Sequence, residues 1–265
     1  TYGDWSSDVC SSDLKAAPQA KVAQLIVFGA RVFLVDGTYD DAFDLSLKAA
    51  DEFGWYSRNT GFNPFTAEGK KTAAFEIWEQ VIYKGNLKKP LNVIVPVGDG
   101  NIIAGIHKGF KDLVELGWLE HMPHIYGIQP ESSAAIANAF NAGTEEIIPV
   151  KADTLADSVS VDHPHDGLRA LRAATQTGGR YITISDQHIL AAIARLGREG
   201  IFIEPAAATA YAGLEAAVKQ GLFDASDPVL VMLTGSGLKD VKAAIQAVQP
   251  APIVEPTLEA LKKLL

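Results

Sequence analysis

A single cysteine, Cys10, stands in 265 residues, together with only two methionines. One thiol excludes an intrachain disulfide framework and a thiolate-based metal site, and it agrees with a reducing compartment. Long apolar runs are missing too. No stretch approaches the roughly 18 uncharged apolar residues that a bilayer span requires, and the first residues show no basic-then-apolar leader pattern, so the cytoplasm is the expected location and no membrane partner is expected. Positive charge is scarce: 23 Lys and Arg stand against 32 Asp and Glu, for a formal net charge of -9. The basic residues come singly or in pairs such as Lys70-Lys71 and Lys88-Lys89. Such a chain repels a nucleic-acid backbone, and no nucleic-acid partner is expected.

What is present is apolar. With 48% hydrophobic residues, the chain can bury a large core, and its length suits one large domain or one and a half. Residues Thr1 to Leu14 differ from the rest. They are rich in Ser and Asp, repeat Ser-Ser-Asp and follow neither the helical nor the strand period, so they read as a junction outside the fold, and Cys10 goes with them.

From Lys21 onward, strands and helices alternate. Short apolar or β-branched runs at Val32–Val35, Asn92–Val97, Ile125–Ile128, Tyr181–Ile184, Ile201–Ile203 and Val229–Leu233 read as strands. Amphipathic segments at Asp41–Phe53, Glu68–Tyr83, Ser132–Asn141, Gly167–Thr177, Gln187–Arg198, Ala206–Lys219 and Leu238–Val248 read as helices, with Ser185 as an N-cap. Leu258, Leu261, Leu264 and Leu265 fit a short amphipathic helix at the end. Continuous apolar strands separated by helices imply an α/β fold, with a mostly parallel sheet covered on both faces and ligands beyond the carboxyl ends of the strands. The break Gly61-Phe62-Asn63-Pro64 divides the chain into 15–60, which holds too few elements to fold alone, and a large domain over 61–265.

The segment Asn92 to Gly105 carries the clearest chemistry. An apolar strand runs into Gly98-Asp99-Gly100-Asn101 and straight into a helix. Two glycines permit a tight turn, so that free amides and the positive end of the helix dipole converge on an anion, which suits a phosphate. The same residues are compatible with a plain connecting turn. A nicotinamide-binding fingerprint is not completed, because Ile103 occupies the place of its third glycine.

Four motifs in order, Asn63-Pro64-Phe65-Thr66-Ala67-Glu68-Gly69-Lys70-Lys71-Thr72, Val97-Gly98-Asp99-Gly100-Asn101, Gly200-Ile201-Phe202-Ile203-Glu204-Pro205-Ala206 and Leu233-Thr234-Gly235-Ser236-Gly237-Leu238-Lys239-Asp240, resemble threonine synthase over about Lys21 to Lys242. The family belongs to the fold type II enzymes that use pyridoxal 5'-phosphate. The resemblance implies a tryptophan synthase β-like, three-layer fold, with residues 15–60 a remnant of the smaller N-terminal domain. It implies that Gly98, Asp99, Gly100, Asn101 and Ile102 hold the cofactor phosphate, that Thr234 faces the pyridine nitrogen and that Glu204 lines the cofactor pocket. It also places Asn63 and Thr66 near the substrate, and it implies a homodimer. Read alone, Thr234 is an ordinary strand-end residue and Glu204 a carboxylate at a helix N-terminus followed by Pro205 at N1.

The reaction implied takes O-phosphohomoserine, removes protons at the α and β carbons, expels phosphate from the γ carbon and adds water at the β carbon. It needs a lysine that anchors the cofactor. In the family that lysine and a Ser/Thr-Gly-Asn substrate loop precede the segment matched by Lys21-Val22-Ala23-Gln24, so the chain reads as an N-terminally truncated, inactive enzyme. Lys70 and Lys71 open an amphipathic helix and are expected to be solvated. Many threonine synthases carry arginine at the position of Thr66 and a polar residue at that of Gly61, side chains associated with the substrate phosphate. A threonine or serine dehydratase-like lyase and a noncatalytic phosphate-binding module therefore stay open. Asp162-His163-Pro164-His165-Asp166 reads as a solvated loop rather than a metal site, and Trp55, Trp78 and Trp118 read as packing anchors.

Overall fold

The computed structural model describes residues 10–15 and 17–264; the reading of Thr1 to residue 9 lies outside them. The elements are β1 (Cys10–Leu14), α1 (Gln19–Val27), β2 (Arg31–Val35), α2 (Tyr39–Phe53), α3 (Pro64–Lys70), α4 (Thr72–Ile77), β3 (Asn92–Pro96) and α5 (Asn101–Glu115). They continue with β4 (His124–Pro130), α6 (Ala135–Ala142), α7 (Gly167–Thr175), β5 (Tyr181–Ile184), α8 (Asp186–Arg198), α9 (Pro205–Lys219), β6 (Val229–Val231), α10 (Val241–Ala247) and α11 (Leu258–Lys262).

Four strands form an all-parallel sheet in the order β5-β4-β3-β6. The period of two along β3 explains how it is covered. Val93, Val95 and Val97 enter one core with Ile103, Ile106, Phe110 and Leu171 from α5 and α7, whereas Ile94 enters a second core with Ile128, Ile189 and the alanines of α9. Every residue of β3 is buried. The result is a helix, sheet, helix sandwich, and the carboxyl ends of β3 and β6 lie side by side because Ile94 pairs with Val231.

A separate two-stranded parallel sheet joins β1 to β2, with Cys10 opposite Arg31 and Leu14 opposite Val35. Residues 10–14 thus take a strand position although the sequence reads them as lying outside the fold. Ladder pairing uses backbone groups, so it does not require the apolar alternation that identifies a strand by eye. Residues 15–60, expected to hold one strand and one helix, contain β2 with both α1 and α2.

Other boundaries moved for identifiable reasons. The single helix expected over Glu68–Tyr83 is three pieces: α3, α4 and a π-helical turn at Trp78–Tyr83. Thr72 Oγ1 donates to Gly69 O at 2.8 Å, a side-chain bond that competes with the regular ladder. Ile201–Ile203 is not a strand, since Ile203 makes only an isolated antiparallel bridge to Ser236 and Glu204 at once begins the approach to α9. An apolar run becomes a strand only where an edge in register is available. The helix expected over Leu238–Val248 is a 3-10 turn at Gly237–Lys239 followed by α10, because the Asp240 side chain accepts from Ala243 N at 3.0 Å and restarts the helix. Ser185 occupies the N-cap position of α8 without capping it; its hydroxyl instead meets His188 Nδ1 at 2.8 Å. Trp118, expected to be a packing anchor, is 60% exposed, with its ring 5.2 Å from that of Trp78.

Candidate active site

The turn between β3 and α5 is shaped by Gly100, whose φ of 95° lies in the left-handed region. A Cβ there would stand 2.7 Å from Ala170 Cβ and 3.0 Å from Asp166 O, so glycine satisfies both the dihedral angle and the space. No side chain caps α5. Among the described residues, the backbone N–H groups of Gly98, Asp99, Gly100, Asn101, Ile102 and Ile103 have no hydrogen-bond acceptor. Six successive donors, with the positive end of a 15-residue helix behind them, form an oxyanion cradle.

The cradle opens on a cleft of about 1420 Å³. Gly98, Asp99, Gly100, Asn101, Ile102, Thr234 and Glu204 all line it. Thr234 and Glu204 come from distant segments and meet through backbone pairing: Glu204 N donates to Gly235 O at 3.1 Å, beside the Ile203 to Ser236 bridge. A Cβ on Gly235 would lie 2.1 Å from Glu204 Oε1, so that glycine is what lets the carboxylate lie flat against the turn. Glu204 is buried and faces the Lys239 ammonium at 3.5 Å. Asn63 and Thr66 do not line the cleft. Asn63 Oδ1 accepts from Phe65 N at 2.9 Å and its amide donates to Ser57 O at 2.8 Å, while Thr66 Oγ1 donates to Asn63 O at 2.6 Å. Both side chains are engaged at the start of α3.

Residues that the sequence reading placed in solvent build the back of the cradle. Asp166 is 2% exposed and bonds both the Asn101 amide and Arg169. His165 N donates to Asp99 Oδ1 at 2.7 Å, and the His165 ring stacks on Phe43 of α2 at 3.7 Å and faces Asp40 Oδ1 at 3.4 Å. The Asp162 to Asp166 loop is thus not a solvated one, although His163 stays exposed. Burial raises the pKa of Asp40, with His165 acting against it. Sequence carried one usable signal here, the Asp166-Gly167 step, which reads as a helix start; nothing local announces the 65-residue separation across which Asp166 meets Asn101.

Lys70 and Lys71 also differ from expectation. Lys71 sits in a network with Glu68 at 2.6 Å and Asp112 at 2.9 Å, which raises its pKa. Lys70 is half-buried and lines the cleft. Its stem lies against α5 because Gly105 leaves room, a Cβ there being 2.8 Å from Lys70 Cβ.

A parallel sheet with an amide cradle at its carboxyl edge and a hydroxyl residue across the cleft defines a class of cofactor-dependent enzyme, and the comparisons with known proteins say which. Residues 14–235 match the model of the pyridoxal-phosphate dependent enzyme family, and the chain belongs to that family. It is similar to threonine synthase of Methanocaldococcus jannaschii, 38% identical over 247 residues that cover 92% of this chain and 60% of that protein. It is also similar to threonine synthase of Methanosarcina acetivorans, 34% identical over 92% of this chain and 59% of that one. The fold resembles the processed form of threonine deaminase isoform 2 from Solanum lycopersicum, with a TM-score of 0.70 at 24% identity over 86% of this chain and 58% of that chain. The architecture is that of fold type II pyridoxal-phosphate enzymes. The chain spans about 60% of the length of these relatives.

Proposed function

We propose that the chain binds pyridoxal 5'-phosphate with its phosphate on the amides of Gly98 to Ile102, and that it is part of a threonine synthase-like lyase converting O-phosphohomoserine and water to threonine and phosphate. The observation that carries this reading is the run of six acceptor-less N–H groups on the cleft. These donors, fixed before a ligand arrives, suit a phosphate without side-chain rearrangement. The family membership supports the choice of cofactor, and the two threonine synthase relatives support the choice of reaction.

When bound, the cofactor supplies the electron sink that makes protons at the substrate's α and β carbons removable. Thr234 would offer the ring nitrogen a hydroxyl, which stabilises a pyridinium less than a carboxylate does and favours β and γ chemistry. Glu204, neutralised by Lys239, would close the pocket wall behind the ring. Asp166 holds the Asn101 side chain and so fixes the first turn of α5 under the phosphate.

No lysine lining the cleft is set up as the covalent anchor. Lys15, Lys21 and Lys239 face Asp36, Asp157 and Glu204, Lys151 and Lys242 are exposed, and Lys70 lies against α5. In this reading cofactor binding by this chain is noncovalent, and the chain by itself is inactive. The test is an absorbance titration with pyridoxal 5'-phosphate and with pyridoxal, followed by borohydride reduction and peptide mapping. Saturable binding should be at least about tenfold tighter for the phosphorylated form, should vanish in Gly100→Ala, and should leave no labelled lysine. Equal binding of the two aldehydes removes the cradle from the explanation, and a labelled lysine removes the noncovalent claim.

The position of Thr66 favours a second reading. Its hydroxyl is directed to the Asn63 carbonyl and it does not line the cleft, a placement that suits a serine or threonine dehydratase-like lyase, whose substrate carries no phosphate. In the longer protein, phosphate release from O-phosphohomoserine set against ammonia release from serine or threonine separates the two.

A further inference from the structure

Of the fifteen residues of α2, only Ala42 and Phe43 are buried, while Leu45 and Phe53 on the same helix stay exposed. The ring of His165, from the large domain, stacks on Phe43 with centroids 3.7 Å apart and planes 11° from parallel. One turn earlier Asp40 Oδ1 faces His165 Nε2 at 3.4 Å. Both atoms are buried, and neither has a hydrogen-bond partner elsewhere among the described residues, so each is left unsatisfied if the other withdraws without water taking its place. Gly61 completes the seat. Its φ of 75° is left-handed and a Cβ there would collide with that of His165, so the imidazole fits because residue 61 has no side chain.

The backbone of the same residue serves the cradle. His165 N donates to Asp99 Oδ1 at 2.7 Å and Asp166 N donates to Asp99 O at 3.0 Å, so the loop grips Asp99 by side chain and carbonyl at once. Asp166 O also stands 3.0 Å from the place of a Cβ on Gly100. Asp99 and Gly100 supply two of the cradle's free amides. A single residue therefore joins a ring seated on α2 to the backbone that aims the donors. His165 does not line the cleft, and any influence it has on a ligand there passes through Asp99.

Resting on the cradle reading above, we propose that His165 is a positioning residue that couples the docking of α2 to phosphate binding on the amides of Gly98 to Ile102. A phosphate that fixes Asp99 and Gly100 also fixes the loop bonded behind them, and with it the seat of α2. The docked helix in turn holds the donors on aim before the ligand arrives. Linkage makes the two effects reciprocal. Because the ring acts chiefly through its face on Phe43, another aromatic side chain at 165 preserves most of the coupling and a methyl group does not.

The experiment is hydrogen exchange read by mass spectrometry on the 265-residue chain, free and saturated with pyridoxal 5'-phosphate, inorganic phosphate or pyridoxal, alongside affinity titrations. In the wild type the amides of α2 should exchange about fivefold more slowly with either phosphate-bearing probe bound, and pyridoxal should not slow them. His165→Ala should abolish the slowing and weaken pyridoxal 5'-phosphate binding about fivefold, leaving pyridoxal affinity unchanged to about twofold. His165→Phe should retain most of the slowing and of the affinity. If His165→Ala fails to fold, Phe43→Leu removes the stack from the α2 side and carries the same comparison. Phosphate-selective binding by the wild type without slowed exchange in α2 overturns the coupling, as does slowing that survives in His165→Ala. Equal losses of affinity for the two aldehydes in that variant, or a loss in His165→Phe as large as in His165→Ala, overturn it too. A wild type that does not prefer pyridoxal 5'-phosphate to pyridoxal overturns the cradle reading, and the coupling with it, and the affinity titration alone identifies that case.

Discussion

β3 and β2 are both five-residue parallel strands, and they have opposite surroundings. All five residues of β3 are buried between two helical layers, whereas in β2 Phe33 and Leu34 remain 50% and 49% exposed. The same local grammar therefore produces a strand clamped on both faces and a strand held mainly by its neighbour and by α1. The active cleft is built on the clamped one. Its amides must keep their aim without a ligand, and that demands a rigid strand beneath them.

The contrast can be broken at its centre. Ile94→Ala, at a residue with no exposure, should cost about 4 kcal/mol in urea unfolding, as deletion of large buried side chains does. Next in size is a pH effect confined to the clamped body. His107 on α5 is buried, and burial, aided by Lys111, pushes its pKa down to about 4. The unfolded chain then binds a proton that the native state refuses. Stability falls as pH drops from about 6.5 toward 4, by up to roughly 3 kcal/mol, and this group contributes no slope above pH 7. Urea midpoints across that window should show the fall, and His107→Leu should flatten it. The smallest effect belongs to β2: Leu34→Ala should cost less than about 1 kcal/mol, since half of the side chain already meets water. A loss near that of Ile94→Ala would mean that β1 and β2 are as tightly covered as the main sheet.

Much of the clamped region was legible in the residues themselves. β-branched runs at Val93–Val95 and Tyr181–Ile184 carry a strand signal strong enough to need no context, and Gly98 and Gly100 mark a turn that only small residues can make. Strand, glycines and helix in succession suited a cradle and a plain connecting turn alike. What was not legible depends on contacts distant in sequence. Nothing near Asp166 says that it will be buried against Asn101, and nothing near Lys70 says that Gly105 will make space for its stem. Asn63 and Thr66 have residue types that suit a substrate, and in the structure they stand at the start of α3, where Asn, Pro and Thr also cap a helix and are engaged locally. The π-helical turn at Trp78–Tyr83 has no period that sets it apart from an α-helix in a short amphipathic window.

Taken alone, the order of residues determined the alternation of strands and helices, the parallel character of the main sheet and the glycine turn that leads from β3 into α5. Each rests on backbone preference and apolar spacing within about a dozen positions. Only the tertiary structure decided which side chains share the cleft, that His165 and Asp166 support the cradle, and that Lys70 is partly withdrawn from water. Desolvation and pairing depend on what the rest of the chain brings near, and a local reading has no access to that.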